Sequence, residues 1–228
     1  MEEPQIHKKY LTAKNYQTFV LVILMVGIII FNIAFISMRY DALLGALNQP
    51  LLDWMIAHRS SQATSFMMSA TTLLNPLNFV ILVCLITGVW AVYKKELWRP
   101  ALLIISIGIT VAFSTVIKFL TANGRPPQLD MITPFEQGYS FPSWHTIGIG
   151  VFLLVFGYLI CSRKPTKIKI IGWILVAATG TIIMATSRLY LGYHWLTDII
   201  ASVGLGLMIV AATIYIDRQV IERFKFLK

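Results

Sequence analysis

Six apolar stretches, at about 17–38, 77–93, 100–117, 143–161, 170–186 and 194–216, constrain this chain more than anything else in it. The first five lack Asp, Glu, Lys and Arg altogether, and the sixth carries only Asp198. A helix that crosses a bilayer needs about 20 mainly apolar residues. Inside hydrocarbon its backbone N–H and C=O groups must be satisfied within the segment, which a helix does. The expected fold is all-α: a polytopic membrane protein with six transmembrane helices. With 57% hydrophobic and only 13% charged residues, the chain falls far below the roughly 25% charged fraction of soluble domains. Six spans within 228 residues leave no room for a separate soluble unit, so residues 1–228 read as one membrane domain.

The basic residues orient it. With the amino terminus inside, fourteen of the nineteen Lys and Arg residues fall on inner segments: Lys8, Lys9, Lys14, Lys94, Lys95, Arg99, Arg163, Lys164, Lys167, Lys169, Arg218, Arg223, Lys225 and Lys228. Arg39, Arg59, Lys118, Arg125 and Arg188 fall outside. That asymmetry follows the positive-inside rule and places both termini in the cytoplasm. It also accounts for the net charge of +9 through topology and anionic headgroups, so no nucleic-acid partner is expected. The charge-free run at 15–38 exceeds the apolar core of a secretory signal, about 7–15 residues, and is read as a retained anchor. Cys84 and Cys161 sit inside spans without Cys-x-x-Cys spacing, which points to buried apolar filler rather than a disulfide or zinc framework.

Between the first two spans, residues 39–76 form an apolar outer segment with Leu43, Leu44, Leu47, Leu51, Leu52, Trp54, Met55 and Ile56 near helical spacing. This predicts an extracytoplasmic interfacial helix, or a helix pair broken near Pro50. Two roles fit it: a lid or lateral doorway for a lipid, or a connector packed on its neighbours, the commoner use of such stretches. His58 and Arg59 receive no assignment. The outer loop from Lys118 to Phe141 is long and rich in Pro, Gly and polar residues, the kind of segment that carries function. The tail from Asp217 onward mixes aromatic and basic residues and suits an interfacial anchor.

Three polar clusters interrupt the oil: Lys118 with Arg125-Pro126, then Pro142-Ser143-Trp144-His145, then Ser187-Arg188-x5-His194-x3-Asp198. Odd spans run outward and even spans inward, so Lys118 and Arg188 end two spans while His145 and His194 begin two others. All reach the same interface. Helix starts favour an anion through unpaired amides and the dipole, Ser143 adds a hydroxyl, and each arginine can grip two oxygens. A phosphoryl dianion is the natural guest.

The i, i+4 spacing of His194 and Asp198 puts both on one helix face. An ionised Asp198 would fix the imidazole tautomer and leave the second nitrogen free to attack phosphorus. His145 could protonate the departing oxygen and then activate water, with the cations and helix-start amides meeting the transition-state charge. Singly, each residue has a plainer use: Lys118 and Arg188 as snorkelling helix ends, Ser143 as an N-cap, the prolines as turn formers. Their plainer uses do not explain why two histidines, a carboxylate and three cations arrive together without an excess of counter-charge.

At these residues the chain resembles the type 2 phosphatidic acid phosphatase superfamily, whose signature is Lys-x6-Arg-Pro, Pro-Ser-Gly-His and Ser-Arg-x5-His-x3-Asp. Lys118 with Arg125-Pro126 matches the first motif, Pro142, Ser143 and His145 match three of four positions of the second, and Ser187, Arg188, His194 and Asp198 complete the third. The resemblance implies His194 as nucleophile, Asp198 as its orienting partner, His145 as general acid and base, and Lys118, Arg125, Ser143 and Arg188 as phosphate binders. It also implies catalysis with no metal ion and no cofactor. Trp144 stands where the family has glycine; its amide can still bind phosphate, while its indole either turns toward the membrane interface, the favoured expectation, or narrows the pocket.

These readings converge on hydrolysis of a phosphate monoester or pyrophosphate on a lipid at the outer face of a plasma membrane, bacterial inner membrane in type. Undecaprenyl pyrophosphate, phosphatidylglycerol phosphate and phosphatidic acid are the candidate substrates implied by the resemblance. A lipid phosphotransferase using the same phosphohistidine, or a non-enzymatic anion transporter, are the alternatives.

Overall fold

The computed structural model describes residues 13–162 and 166–225, the side chains of 13–15, 76 and 222–225 excepted. Of the topology signals, Lys8, Lys9, Arg163, Lys164 and Lys228 lie outside the described residues. Eight α-helices follow in order, and no strand occurs among the described residues: α1 (Ala13–Tyr40), α2 (Asn48–Ala57), α3 (Ser61–Leu73), α4 (Pro76–Lys94), α5 (Trp98–Thr121), α6 (Trp144–Cys161), α7 (Lys167–Tyr190) and α8 (Leu196–Lys225). Six of them, α1 and α4–α8, are long and apolar enough to cross a membrane. These are the six expected spans, lengthened by a few residues where polar ends continue the helix.

Local chemistry sets the ends. Asn75 caps α4 by accepting from Asn78 N at 2.9 Å, with Pro76 at the first helical position, where a missing N–H costs nothing. Thr166 caps α7 through Lys169 N. Segment 39–76 does form a helix pair, but the break falls at His58–Ser60 rather than near Pro50. Pro50 is the third residue of α2, inside the first turn whose N–H groups have no intrahelical acceptor anyway. Ser60 makes the break by capping α3, accepting from Ala63 N at 3.3 Å.

Helices α6 and α8 form the centre. Val151, Val155 and Leu159 of α6 bury against Leu205, Ile209 and Ile214 of α8 and against Leu102 and Leu103 of α5, while α1 lies along α8 and α7 along α6. Close approach of α1 and α8 depends on missing side chains: a Cβ on Gly27 would stand 2.7 Å from the Gly204 carbonyl oxygen, and one on Gly204 would stand 2.5 Å from Phe31 N. Small residues at such crossings let backbones touch in a solvent that supplies no hydrophobic drive. Ser106 Oγ and Thr213 Oγ1 pair at 2.9 Å between α5 and α8. The outward faces carry Leu21, Val92 and Leu120 exposed, as a lipid-facing surface should. Cys84 belongs to that outer surface and only Cys161 is buried, which corrects the expectation that both are buried filler.

Segment 39–76 packs closely on its neighbours. Asn48 Oδ1 accepts from Thr197 N at the start of α8. Arg59 donates to the carbonyls of Tyr190 and Asp130 at 2.7–3.0 Å, and α3 packs along α7. Arg59, unassigned from sequence, ties the C-terminal end of α7 to the outer loop. At the other end of the bundle Asp217 is fully buried and accepts from Trp98 Nε1 at 2.9 Å and Tyr158 Oη at 2.8 Å. It is therefore an internal clasp of α5, α6 and α8 rather than the first residue of an interfacial tail, and α8 continues through it to Lys225.

Candidate functional site

The end of α5, the start of α6, the end of α7 and the start of α8 meet at one end of the bundle, with the outer loop folded over them. Lys118 ends α5 and turns its Nζ back to the carbonyls of Tyr139 and Ser140 at 2.8 and 2.9 Å. Arg188, in the last turn of α7, is fully buried; its Nη1 donates to Thr71 Oγ1 of α3 at 2.7 Å and its guanidinium lies 4.4 Å from the Tyr193 ring centroid. Arg125 comes from the loop, held by the Tyr193 carbonyl at 2.7 Å and the Gln137 carbonyl at 3.2 Å. These cations, with His145 and Trp144, line a cavity of about 720 Å³ that also has Met68, Thr71, Thr72, Asn75 and Tyr193 on its wall. That size is ordinary for a small-molecule site. The wall residues from α3 and the α3–α4 turn make segment 39–76 part of the pocket itself.

His194 sits just before α8, 1% exposed. Its Nδ1 lies 3.1 Å from Asp198 Oδ2, and the same oxygen accepts from Trp195 N at 2.9 Å. Asp198 Oδ1 faces Ser140 Oγ at 3.3 Å and Asn123 Nδ2 at 3.4 Å. The carboxylate thus closes the first turn of α8 in the manner of a capping box while fixing the imidazole. A proton on Nδ1 leaves Nε2 as the basic nitrogen. Nε2 faces Arg125 Nη1 at 3.3 Å, so it is screened by a cation rather than free, as the sequence reading had it. Burial, and next the positive charges of Arg125, Arg188 and Lys118, push the His194 imidazole well below its ordinary range. It stays neutral and keeps a lone pair. The turn delivering it needs Gly192, whose φ is +78° and whose added Cβ would meet the Asp130 carbonyl oxygen at 2.4 Å.

His145, the second residue of α6, is 7% exposed and lines the cavity, and its buried Nδ1 has no hydrogen-bond partner. Arg188 Nε is likewise buried and unpartnered. Both atoms belong to cavity-lining residues and keep unused hydrogen-bonding capacity there. The first turn of α6 receives no capping bond from its own N-cap, Ser143. Ser143 itself is fully buried behind the cavity, with its Oγ accepting from Thr146 Oγ1 at 3.1 Å and its N–H donating to Ser202 Oγ at 2.9 Å. It is not among the residues lining the cavity, and neither are His194 and Asp198; they stand one layer behind it, His194 touching it through Arg125.

Two features depart from the sequence reading. The Trp144 indole does not turn to the interface: it lines the cavity, its ring centroid 3.9 Å from that of His145. Helical side chains lean toward the N-terminus, and from the first residue of α6 that direction is the pocket. Counter-charge is also present. Glu136 of the loop pairs with Arg125 Nη2 at 3.1 Å and with Arg188 Nη2. No spacing rule connects a loop carboxylate to two arginines that lie 11 and 52 residues away, so Glu136 was invisible. Asn123, Ser140 and Thr71, which hold Asp198 and Arg188, were missed for the same reason.

The sequence model of the PAP2 superfamily matches residues 99–222, which contain all three clusters. Phosphatidylglycerophosphatase B of Bacillus subtilis (strain 168) is 26% identical over 160 residues, 69% of this chain and 77% of that protein. Undecaprenyl-diphosphatase of Sulfolobus acidocaldarius is 26% identical over 136 residues, 58% of this chain and 62% of that protein. A crystal structure of a transmembrane PAP2 type phosphatidylglycerolphosphate phosphatase from Bacillus subtilis superimposes with a TM-score of 0.75 at 21% identity, covering 85% of this chain and 96% of that one. With the family match spanning more than half the chain and containing all three clusters, in which Trp144 alone departs from the signature, this multi-pass membrane protein belongs to the PAP2 superfamily.

Proposed function

We propose that the protein is a lipid phosphatase that removes a terminal phosphate from a membrane lipid by way of a phosphohistidine on His194. The observation carrying the proposal is the His194 ring: Nδ1 is pinned to Asp198 while Nε2 faces the arginine that borders a cation-lined cavity. In the first step Nε2 attacks phosphorus, the bond from phosphorus to the lipid oxygen breaks, and His145 gives that oxygen a proton. In the second, His145 takes a proton from water, the resulting hydroxide bonds to phosphorus, and the P–N bond breaks to release inorganic phosphate. Lys118, Arg125 and Arg188, with the first-turn amides at Trp144 and His145, meet the charge on the equatorial oxygens. Ser143 acts from behind, fixing the start of α6, a narrower role than the direct phosphate contact implied by the resemblance.

Location follows from the charges. The site lies at the bundle end opposite Lys94, Lys95, Lys167 and Lys169, and the preference for a basic inner face supports our reading of it as extracytoplasmic, with both termini inside. The substrates that fit are lipids with a terminal phosphate or diphosphate: phosphatidylglycerol phosphate and undecaprenyl pyrophosphate, after which the two relatives are named, and phosphatidic acid. Purified protein in detergent, offered each of the three, should release inorganic phosphate from at least one, and His194→Ala should abolish the release. Release from none, or full release by His194→Ala, would overturn the proposal.

A further inference from the structure

The cavity's strongest ion pairs are made by the protein to itself. Arg188 is fully buried, and Arg125 is nearly so, with 9% of its side chain exposed. Two neighbouring guanidinium groups withdrawn from water need an anion between them, and Glu136 supplies it, one carboxylate oxygen to each. The geometry is that of an arginine-clamped phosphate, with a carboxylate in the place of two phosphate oxygens.

Glu136 is also placed to leave. It lies in the loop between the short turn at 128–130 and α6, outside any helix, its side chain is 24% exposed, and it lines the cavity rather than the packed core. Gly138, two residues on, has φ +78° with no atom within 4 Å of an added Cβ, so open space adjoins the segment.

Resting on the phosphate-site reading above, we infer that Glu136 is a resident anion of the phosphate site, which substrate displaces on binding and which displaces the product phosphate afterwards. A guest phosphoryl group takes both arginines, adding Lys118 and the unpartnered Nε of Arg188. When the ester bond is gone and inorganic phosphate remains, the tethered carboxylate competes for the same two cations and lowers the affinity for product. Removing that carboxylate should tighten any phosphate in the site and slow its departure, so KM and kcat fall together. A residue that merely held the arginines in position would do the reverse, since its loss would loosen phosphate.

The test is equilibrium binding of inorganic phosphate to the full chain in detergent at mildly alkaline pH, by calorimetry, for wild type, Glu136→Gln, Glu136→Ala and Arg188→Ala. The expected result is weak binding by wild type that depends on Arg188, and at least tenfold tighter binding by both Glu136 variants. Binding that depends on Arg188 but is unchanged or weakened in the Glu136 variants would overturn the inference and leave the phosphate site standing. Phosphate binding unaffected by Arg188→Ala would sink both. The wild-type protein supplies a second readout: an infrared difference spectrum on adding phosphate should contain a carboxylate stretch shifted by the broken ion pairs, and a spectrum without one would contradict displacement.

Discussion

Replacing Asp198 by Asn is the sharpest perturbation of the His194 machinery, because it exchanges one oxygen for NH₂ and hardly changes the volume. In the wild type all the hydrogen bonds run inward to the carboxylate, from His194 Nδ1 at 3.1 Å, Trp195 N at 2.9 Å, Ser140 Oγ at 3.3 Å and Asn123 Nδ2 at 3.4 Å. An amide has one acceptor oxygen. Facing that oxygen toward His194 and Trp195 leaves its NH₂ opposed to the Asn123 NH₂, a buried donor against a donor that costs about 1–3 kcal/mol. Facing it the other way opposes His194 Nδ1–H and favours the tautomer with the proton on Nε2, which cannot attack. Either way the negative charge that stabilises the imidazole as it forms its bond is lost, and the comparable change in a serine-protease triad lowers turnover by about 10⁴. Together these raise the barrier by about 3–5 kcal/mol, a fall in kcat of about 10²–10⁴. Initial rates of phosphate release from a saturating lipid substrate measure it, with detergent gel filtration to establish that the variant stays folded. Retention of more than a tenth of wild-type kcat by a folded Asp198→Asn protein would refute the reasoning.

Neutral buried His194 makes stability depend on pH. Its folded-state affinity for a proton is depressed, whereas the unfolded chain binds one near pH 6.5, so the stabilisation present above that value is lost as pH falls below it, by up to about 1.4 kcal/mol per unit. Between neutral and mildly acidic pH the unfolding temperature of wild type in detergent, relative to that of a His194→Gln protein, should fall; equal slopes would contradict a neutral buried ring. Gly192→Ala adds a Cβ at φ +78°, 2.4 Å from the Asp130 carbonyl oxygen. The left-handed strain alone is about 1–2 kcal/mol and the backbone contact adds to it, so thermal stability and turnover should both fall. Wild-type values for both would show that this turn does not set His194. Thr71→Val removes the hydroxyl that accepts from buried Arg188, leaving a charged donor short of a partner at about 1–3 kcal/mol; KM for the lipid should rise about tenfold with kcat less affected, and steady-state kinetics with an unchanged KM would count against Arg188 as a phosphate ligand.

The six spans were legible because hydrocarbon enforces a single local solution, a helix of sufficient apolar length, and that length is written in the residues. The meeting of Lys118, Arg125, His145, Arg188 and His194 was legible for a related reason: with alternating span direction, the helix ends that carry or adjoin four of them, and the loop that carries Arg125, share one side. Features set by side-chain direction or by loop path were not. Trp144 lines the cavity because a first-turn side chain leans toward the helix N-terminus, whereas the expectation of an interfacial indole took helix side chains to diverge from that terminus. The break in segment 39–76 lies at Ser60 and not Pro50, since a proline in a first turn gives up no hydrogen bond while a capping serine starts a new helix. Glu136 reaches its arginines through an irregular loop whose course depends on Lys118, Arg125 and Asn123 bonding back to carbonyls and hydroxyls along it. Arg59 was passed over for lack of a side-chain partner, and its partners are backbone carbonyls, which sequence spacing does not reveal.

The covalent intermediate is the most direct measure of the central claim. Purified wild-type protein mixed briefly with a lipid carrying a radiolabelled terminal phosphate, then quenched and digested, should hold label that is stable to base, labile to acid and confined to the peptide containing His194. His145→Ala should accumulate more of it than wild type when the leaving group needs no proton, because the hydrolytic step then lacks its base. Label that persists in His194→Ala, or turnover in the wild type with no label on that peptide at any quench time, would contradict attack by His194.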